Sequence, residues 1–325
     1  MAFPVGRRAG IAVLAVAVTA FVGAAPASGT APGGNGRIAF ARGIRHVRIL
    51  YVEPDGSHRH ALTSASGVRS DPAWSPNGSR LAAEHVTSGH SAIFTMQADG
   101  DHPRRLTRGA SDVQPAWSPD GTEIAFAHCC ATSDPASFSI EIVRLNGSIV
   151  RRLHFGGRAD LSPSYSPDGS RVVFERCCFH PRSLTNGTSE VFVWNLRAGG
   201  LRRLTNDRVN ESSPDWSPDG KHVVFQVGGT TGLTPGAHPA AGTGDVEVMD
   251  VDGGTGNLLT SGERSYEPAF SPDGARIVFG SCSGANGTGC ELFTMASSGG
   301  DVVPLTRGAA FVGGPAWRPV RVSGG

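Results

Sequence analysis

The chain has 325 residues, with 29 Lys and Arg against 28 Asp and Glu, a net charge of +1. Charge this balanced argues against nucleic acid as the main partner, since phosphate binding needs a concentrated basic face, and the length is ample for one sizeable core. Arginine carries nearly all the positive charge, since Lys221 is the sole lysine.

In chain order, the first element is a targeting segment. Arg7 and Arg8 precede an apolar run from Ala9 to Ala25, and Ala25-Pro26-Ala27 is a small-x-small cleavage site. The run falls short of the roughly 20 residues that cross a bilayer, and no other apolar stretch is long enough. The sequence therefore predicts a signal peptide over residues 1–27, a flexible leader over 28–36 and a folded body over 37–320. The expected product is exported to the periplasm, cell wall or exterior of a bacterium. It is expected to be monomeric, with no stable membrane span after cleavage.

From residue 72 onward one phrase recurs: Pro-x-aromatic-Ser-Pro-Asp-Gly. Its copies begin at Pro72 (with Asn77 for Asp), Pro115, Pro163, Pro214 and Pro268, and a truncated copy stands at Pro315-Ala316-Trp317-Arg318-Pro319. The aromatic residues are Trp74, Trp117, Tyr165, Trp216, Phe270 and Trp317, with steps of 43, 48, 51, 54 and 47 residues. Spacing in that range marks a repeat array. Within one repeat, Pro115–Ser118 reads as a short strand and Pro119-Asp120-Gly121 as a tight turn, because Pro presets φ, Asp bonds local backbone and Gly accepts positive φ. Glu123–Ala127, Ser139–Leu145 and Arg151–Leu153 supply three more short strands, the last two joined by Asn146-Gly147. Four antiparallel strands per repeat is the unit of a β-propeller.

The ends complement each other. Arg37–Phe40, Ile49–Glu53 and Ala61–Thr63 match the second to fourth strands of a repeat, whereas Pro315–Trp317 matches a first strand. The reading is an all-β, six-bladed β-propeller with four antiparallel strands per blade, one blade being closed by strands from both termini. Such closure removes open sheet edges.

The pattern Pro-x-Trp-Ser-Pro-Asp-Gly, Ile-Ala-Phe and Leu-Thr resembles the TolB-like, WD-like β-propeller repeat family, propeller only, without the N-terminal α/β domain of TolB. The resemblance covers residues 37 to about 320. It implies a propeller whose second-to-third-strand and fourth-to-first-strand loops share one face, opposite the Asp-Gly turns. Loop length varies on that face, from His85–Ser91 to the long Gly228–Gly244, and variable insertions on one face of a repeat protein point to its working surface.

The inner-strand loops carry the candidate ligand-binding residues of the pore mouth: Asp71, Asp112, Gln114, Asp160, Glu211 and Glu267. Asp112, Asp160 and Glu211 fall on consecutive repeats and would form an acidic arc suited to a cation or a basic group. The competing reading is that these side chains cap local loop backbone.

Six cysteines in an exported chain read as disulfide-forming. Cys282 and Cys290 flank one Gly-rich loop and form a natural pair. Cys129, Cys130, Cys177 and Cys178 allow three pairings, bridges between adjacent residues among them. A lesser alternative gathers His128, Cys129, Cys177 and His180 as soft metal ligands. No metal or other cofactor is otherwise expected. Gly280-Ser281-Cys282-Ser283-Gly284 has the spacing of a nucleophile elbow but not its strand–turn–helix context, and no other catalytic motif is present. The function expected is an exported, non-enzymatic binding module. It recognises a protein, peptide or envelope glycan through the variable face and pore mouth. A metal-assisted hydrolase, lyase or lactonase at the pore mouth is the alternative.

Overall fold

The computed structural model describes residues 31–43, 47–64, 68–87, 90–109, 111–129, 138–153, 159–177, 188–207, 209–228, 244–262, 264–283, 289–308 and 312–321. The signal-peptide expectation over 1–27, and Cys130, Cys178 and His180, lie outside them.

The chain opens with β1 (Gly34–Arg42), β2 (Arg48–Val52) and β3 (His60–Ala61). Next come β4 (Val68–Trp74), β5 (Arg80–Thr87), β6 (His90–Gln97) and β7 (Arg104–Arg105), then β8 (Ser111–Trp117), β9 (Glu123–Cys129), β10 (Phe138–Arg144) and β11 (Ile149–Leu153). The following sets are β12 (Ala159–Tyr165), β13 (Arg171–Cys177), β14 (Ser189–Asn195) and β15 (Leu201–Arg203), and β16 (Glu211–Trp216), β17 (His222–Gly228), β18 (Gly244–Asp250) and β19 (Asn257–Leu258). The chain continues through β20 (Ser265–Phe270), β21 (Arg276–Cys282), β22 (Cys290–Ala296) and β23 (Val303–Pro304) to β24 (Val312–Val320).

The expected ring of six separate four-stranded blades is corrected by the sheet order. Four sheets are four-stranded blades: β24-β1-β2-β3, β12-β13-β14-β15, β16-β17-β18-β19 and β20-β21-β22-β23. The other eight strands, β4 to β11, form a single sheet. A parallel bridge between Ser91 of β6 and Ser111 of β8 fuses them. Two small hydroxyl side chains, 3.4 Å apart, allow that close approach. The β24-β1-β2-β3 blade is built from both ends of the described chain, with Ile38 opposite Trp317 and Arg42 opposite Val312. Among the described residues no helix is long and apolar enough to cross a membrane.

The core lies between consecutive repeats. Trp117 packs with Ala82, Ile93 and Leu106 of the preceding repeat and with Ile124 and Phe126 of its own. Trp216 does the same with Val173, Val191 and Val223. Its indole nitrogen donates to the Ser164 carbonyl at 3.2 Å, as that of Trp117 does to Ala73 at 3.0 Å. Burying each such side chain is worth about 1.5–3 kcal/mol. The motif aromatic thus fastens each repeat to its predecessor.

Candidate functional site

The repeated phrase builds a scaffold. In every full copy the motif Ser hydroxyl donates to the turn Asp or Asn, as Ser118 to Asp120 at 2.6 Å and Ser166 to Asp168 at 2.6 Å. It also accepts the amide of the next strand, as from Glu123 at 2.8 Å and Arg171 at 2.9 Å. Burial alone would raise the Asp168 carboxyl, but hydrogen bonds from Ser166 and Ser170 outweigh it and hold the group at about 2. Gly169, at φ +65°, lies against the motif proline of the previous repeat: a Cβ there would stand 2.9 Å from Pro119 Cγ. These residues are occupied by turn geometry and inter-repeat contact.

The residue before each motif proline is the second repeated device. Asp71, Gln114, Ser162, Ser213 and Glu267 all have φ between 46° and 55°, and Gly314 has 55°. Each sits at a register shift of the inner strand, for example between Val113 and Ala116 opposite β9. Left-handed backbone at a residue with a Cβ costs about 1–2 kcal/mol. At three of these positions the residue's own amide is met by a side chain of the preceding repeat. Gln114 Oε1 accepts the Ser162 amide at 2.9 Å, Glu175 Oε2 the Ser213 amide at 2.9 Å, and Glu267 Oε2 the Gly314 amide at 2.5 Å. Burial, with Glu267 nearby, raises Glu175 to about 7.

These six residues line a cavity of about 190 Å³. The remaining lining comes from the same stretch of every inner strand, including Ala116, Asp215, Trp74, Trp117 and Trp317, together with Ala31 ahead of β1. Asp71, Gln114 and Glu267, three of the sequence candidates, therefore meet at one cavity.

Asp112, Asp160 and Glu211 do not line it. Each is buried in its own sheet. Asp112 faces His128 across β8 and β9, with Nδ1 at 2.6 Å from Oδ1, and also accepts the Gly109 amide at 3.0 Å. That hydrogen bond is the main cause raising the His128 pKa. Asp160 faces Arg176 across β12 and β13 in a bidentate pair at 2.6 and 3.0 Å. Glu211 faces Val227 across β16 and β17 and so lacks a cross-strand cation. Burial first, then the neighbouring Asp207, push Glu211 up to about 9.

Cys282 and Cys290 form a disulfide between register partners of β21 and β22. Cys129 and Cys177 are buried in one core cluster. Among the described residues the group with metal-ligand geometry is Glu190, Asp207 and Glu211, not His128, Cys129 and Cys177. Ser281 lies within β21, and Gly280 leaves room for the Tyr266 ring, which a Cβ would meet at 2.4 Å, so this segment is no nucleophile elbow.

Sequence reasoning missed Glu175, Asp215, Glu190 and Asp207. Glu175 and Glu190 are single carboxylates inside strands otherwise dominated by apolar residues, a signal that becomes legible only once register is known.

Residues 36–178 match the TolB beta propeller domain family. The chain carries a TolB-like β-propeller. Over 237 residues the chain is 23% identical to dipeptidyl-peptidase 5 of Porphyromonas endodontalis, a match covering 72% of this chain and 32% of that protein. The chain thus spans about a third of that relative. The crystal structure of TolB from Acinetobacter baumannii superposes with a TM-score of 0.66 at 21% identity, covering 87% of this chain and 67% of that one. A putative TolB from Agrobacterium tumefaciens gives 0.62 at 20% identity, covering 88% and 100%.

Proposed function

We propose that the protein is an exported binding module. In this reading its cavity receives a basic side chain presented by a protein or peptide partner, and the variable loops contact the surrounding surface. The observation that carries the reading is the cavity lining: the acidic residues Asp71, Asp215 and Glu267 line, together with three tryptophans, one space of about 190 Å³. Carboxylates and aromatic faces together suit an ammonium or guanidinium group. The volume is below the roughly 300–1,000 Å³ of drug-sized ligand pockets and fits one side chain. An envelope glycan is the other ligand class the variable face would suit.

Binding titrations with Lys- and Arg-containing peptides, neutral peptides and oligosaccharides test this, using the wild type and Ala116→Phe, which fills the cavity. Saturable binding of the basic peptides that Ala116→Phe weakens at least tenfold supports the proposal. Equal binding of neutral peptides, or by the filled variant, counts against it.

The likeness to a peptidase favours a second reading, an enzyme, with a metal-assisted hydrolase, lyase or lactonase at the pore mouth as the form to test. Chemical change in a bound ligand would select that reading.

A further inference from the structure

Five threonines, each two residues beyond the outer strand of its repeat, share one role: the hydroxyls of Thr63, Thr107, Thr205, Thr260 and Thr306 each accept the backbone amide of the residue 14 positions earlier. At three of these positions a carboxylate precedes that amide, and the threonine hydroxyl contacts it: Thr205 to Glu190 at 3.1 Å, Thr260 to Asp245 at 3.0 Å and Thr306 to Glu291 at 2.5 Å. After Asp245 and Glu291 the equivalent inner-strand residues are Ser265 and Val312. After Glu190 it is Glu211. There, carboxylate oxygens of Glu190, Asp207 and Glu211 lie within 4.8 Å of one another.

Donors are too few for these acceptors. The Thr205 hydroxyl carries one hydrogen and faces both Glu190 Oε2 and, at 2.8 Å, Glu211 Oε2. Arg203 pairs with Glu190 Oε1, and the Val209 amide donates to Asp207 Oδ1 at 3.0 Å. Glu211 is 0% exposed, and its Oε1 is buried without a hydrogen-bond partner. Leaving a buried carboxylate without a counter-charge is costly by several kcal/mol. The two preceding repeats meet that cost with His128 and Arg176; this one has Val227 at the same register.

We propose that this junction binds one calcium ion through Glu190, Asp207 and Glu211. All-oxygen donors select a hard cation. Calcium–oxygen distances of about 2.3–2.6 Å allow opposed ligands about 5 Å apart, whereas magnesium would require contraction to about 4 Å. Asp207 is exposed and gives the ion a route from solvent. The ion would tie the segment between β15 and β16 to β14, joining two repeats independently of what the cavity binds.

Calcium chloride is titrated calorimetrically into the metal-free full chain, its Glu211→Gln variant and its Val227→Arg variant, which supplies the cation found in the sibling repeats. Expected are one ion per wild-type chain, with a Kd on the order of 10⁻⁵–10⁻³ M, and binding at least tenfold weaker in both variants. Glu211→Gln should keep cooperative unfolding in chelator, which separates loss of the site from loss of the fold. No calcium binding by the wild type at 10 mM (about ten times the weakest affinity expected), unchanged affinity in Glu211→Gln, or magnesium bound as tightly as calcium would overturn the assignment.

Discussion

Glu211 and Val227 face each other across β16 and β17, at the register where the two preceding repeats oppose Asp112 with His128 and Asp160 with Arg176. The three acids share one sequence position and three different electrostatic settings. Position in a repeat fixes where a side chain stands, and its cross-strand neighbour decides whether its charge is already answered. The acidic arc that consecutive placement suggests is divided among three sheets, and in two of them a basic side chain stands opposite the acid.

The Asp160–Arg176 pair is the most deeply buried of these, with Arg176 4% exposed. Arg176→Met leaves a buried carboxylate without its main partner and should cost about 3–5 kcal/mol. Asp160→Leu combined with Arg176→Met should recover most of that loss. Urea unfolding of the single and double variants measures both values.

Glu175 gives a pH dependence of defined sign. Its folded carboxyl is raised from 4.5 to about 7. Between those values the folded state keeps a proton that the unfolded state has released, so the group's stabilising contribution is complete below pH 4.5 and is lost as pH rises to about 7. Glu175→Gln retains an oxygen for the Ser213 amide and removes the titration. It should be more stable than the wild type at pH 8 by about 1–3 kcal/mol and equal to it at pH 4. Thermal unfolding across that range checks the crossover.

Gly169→Ala tests the scaffold reading of the repeated phrase. Positive φ and the 2.9 Å approach to Pro119 Cγ act together, so a loss of about 1–3 kcal/mol is expected. Binding by the folded variant should stay at the wild-type level, since Gly169 does not line the cavity. Parallel unfolding and binding measurements separate the two effects.

How far the fold and site are legible in sequence follows from the same residues. The Ser-Pro-Asp-Gly turns are local: each side chain bonds backbone within five residues, so the spelling and the structure agree. The closure of β1 on β24 is legible because Arg37–Phe40 and Pro315–Trp317 each carry part of a repeat. The fusion of eight strands at Ser91 and Ser111 is not, since two serines carry no pairing signal. Glu175 and Asp215 are likewise hidden: their roles lie in accepting the Ser213 and Phe270 amides 38 and 55 residues away. The disulfide lies between, because Cys282 and Cys290 flank one hairpin and register then makes them direct partners.

Glu267 offers the most direct measurement of the binding account. Glu267→Gln preserves an acceptor for the Gly314 amide while removing a charge from the cavity. Equilibrium binding of Lys-containing peptides to the wild type and this variant is measured together with the mass of the recovered peptide. The expected result is saturable binding by the wild type, at least tenfold weaker in Glu267→Gln, with the peptide recovered unchanged. Equal binding by the variant, or accumulation of peptide fragments, would contradict the account.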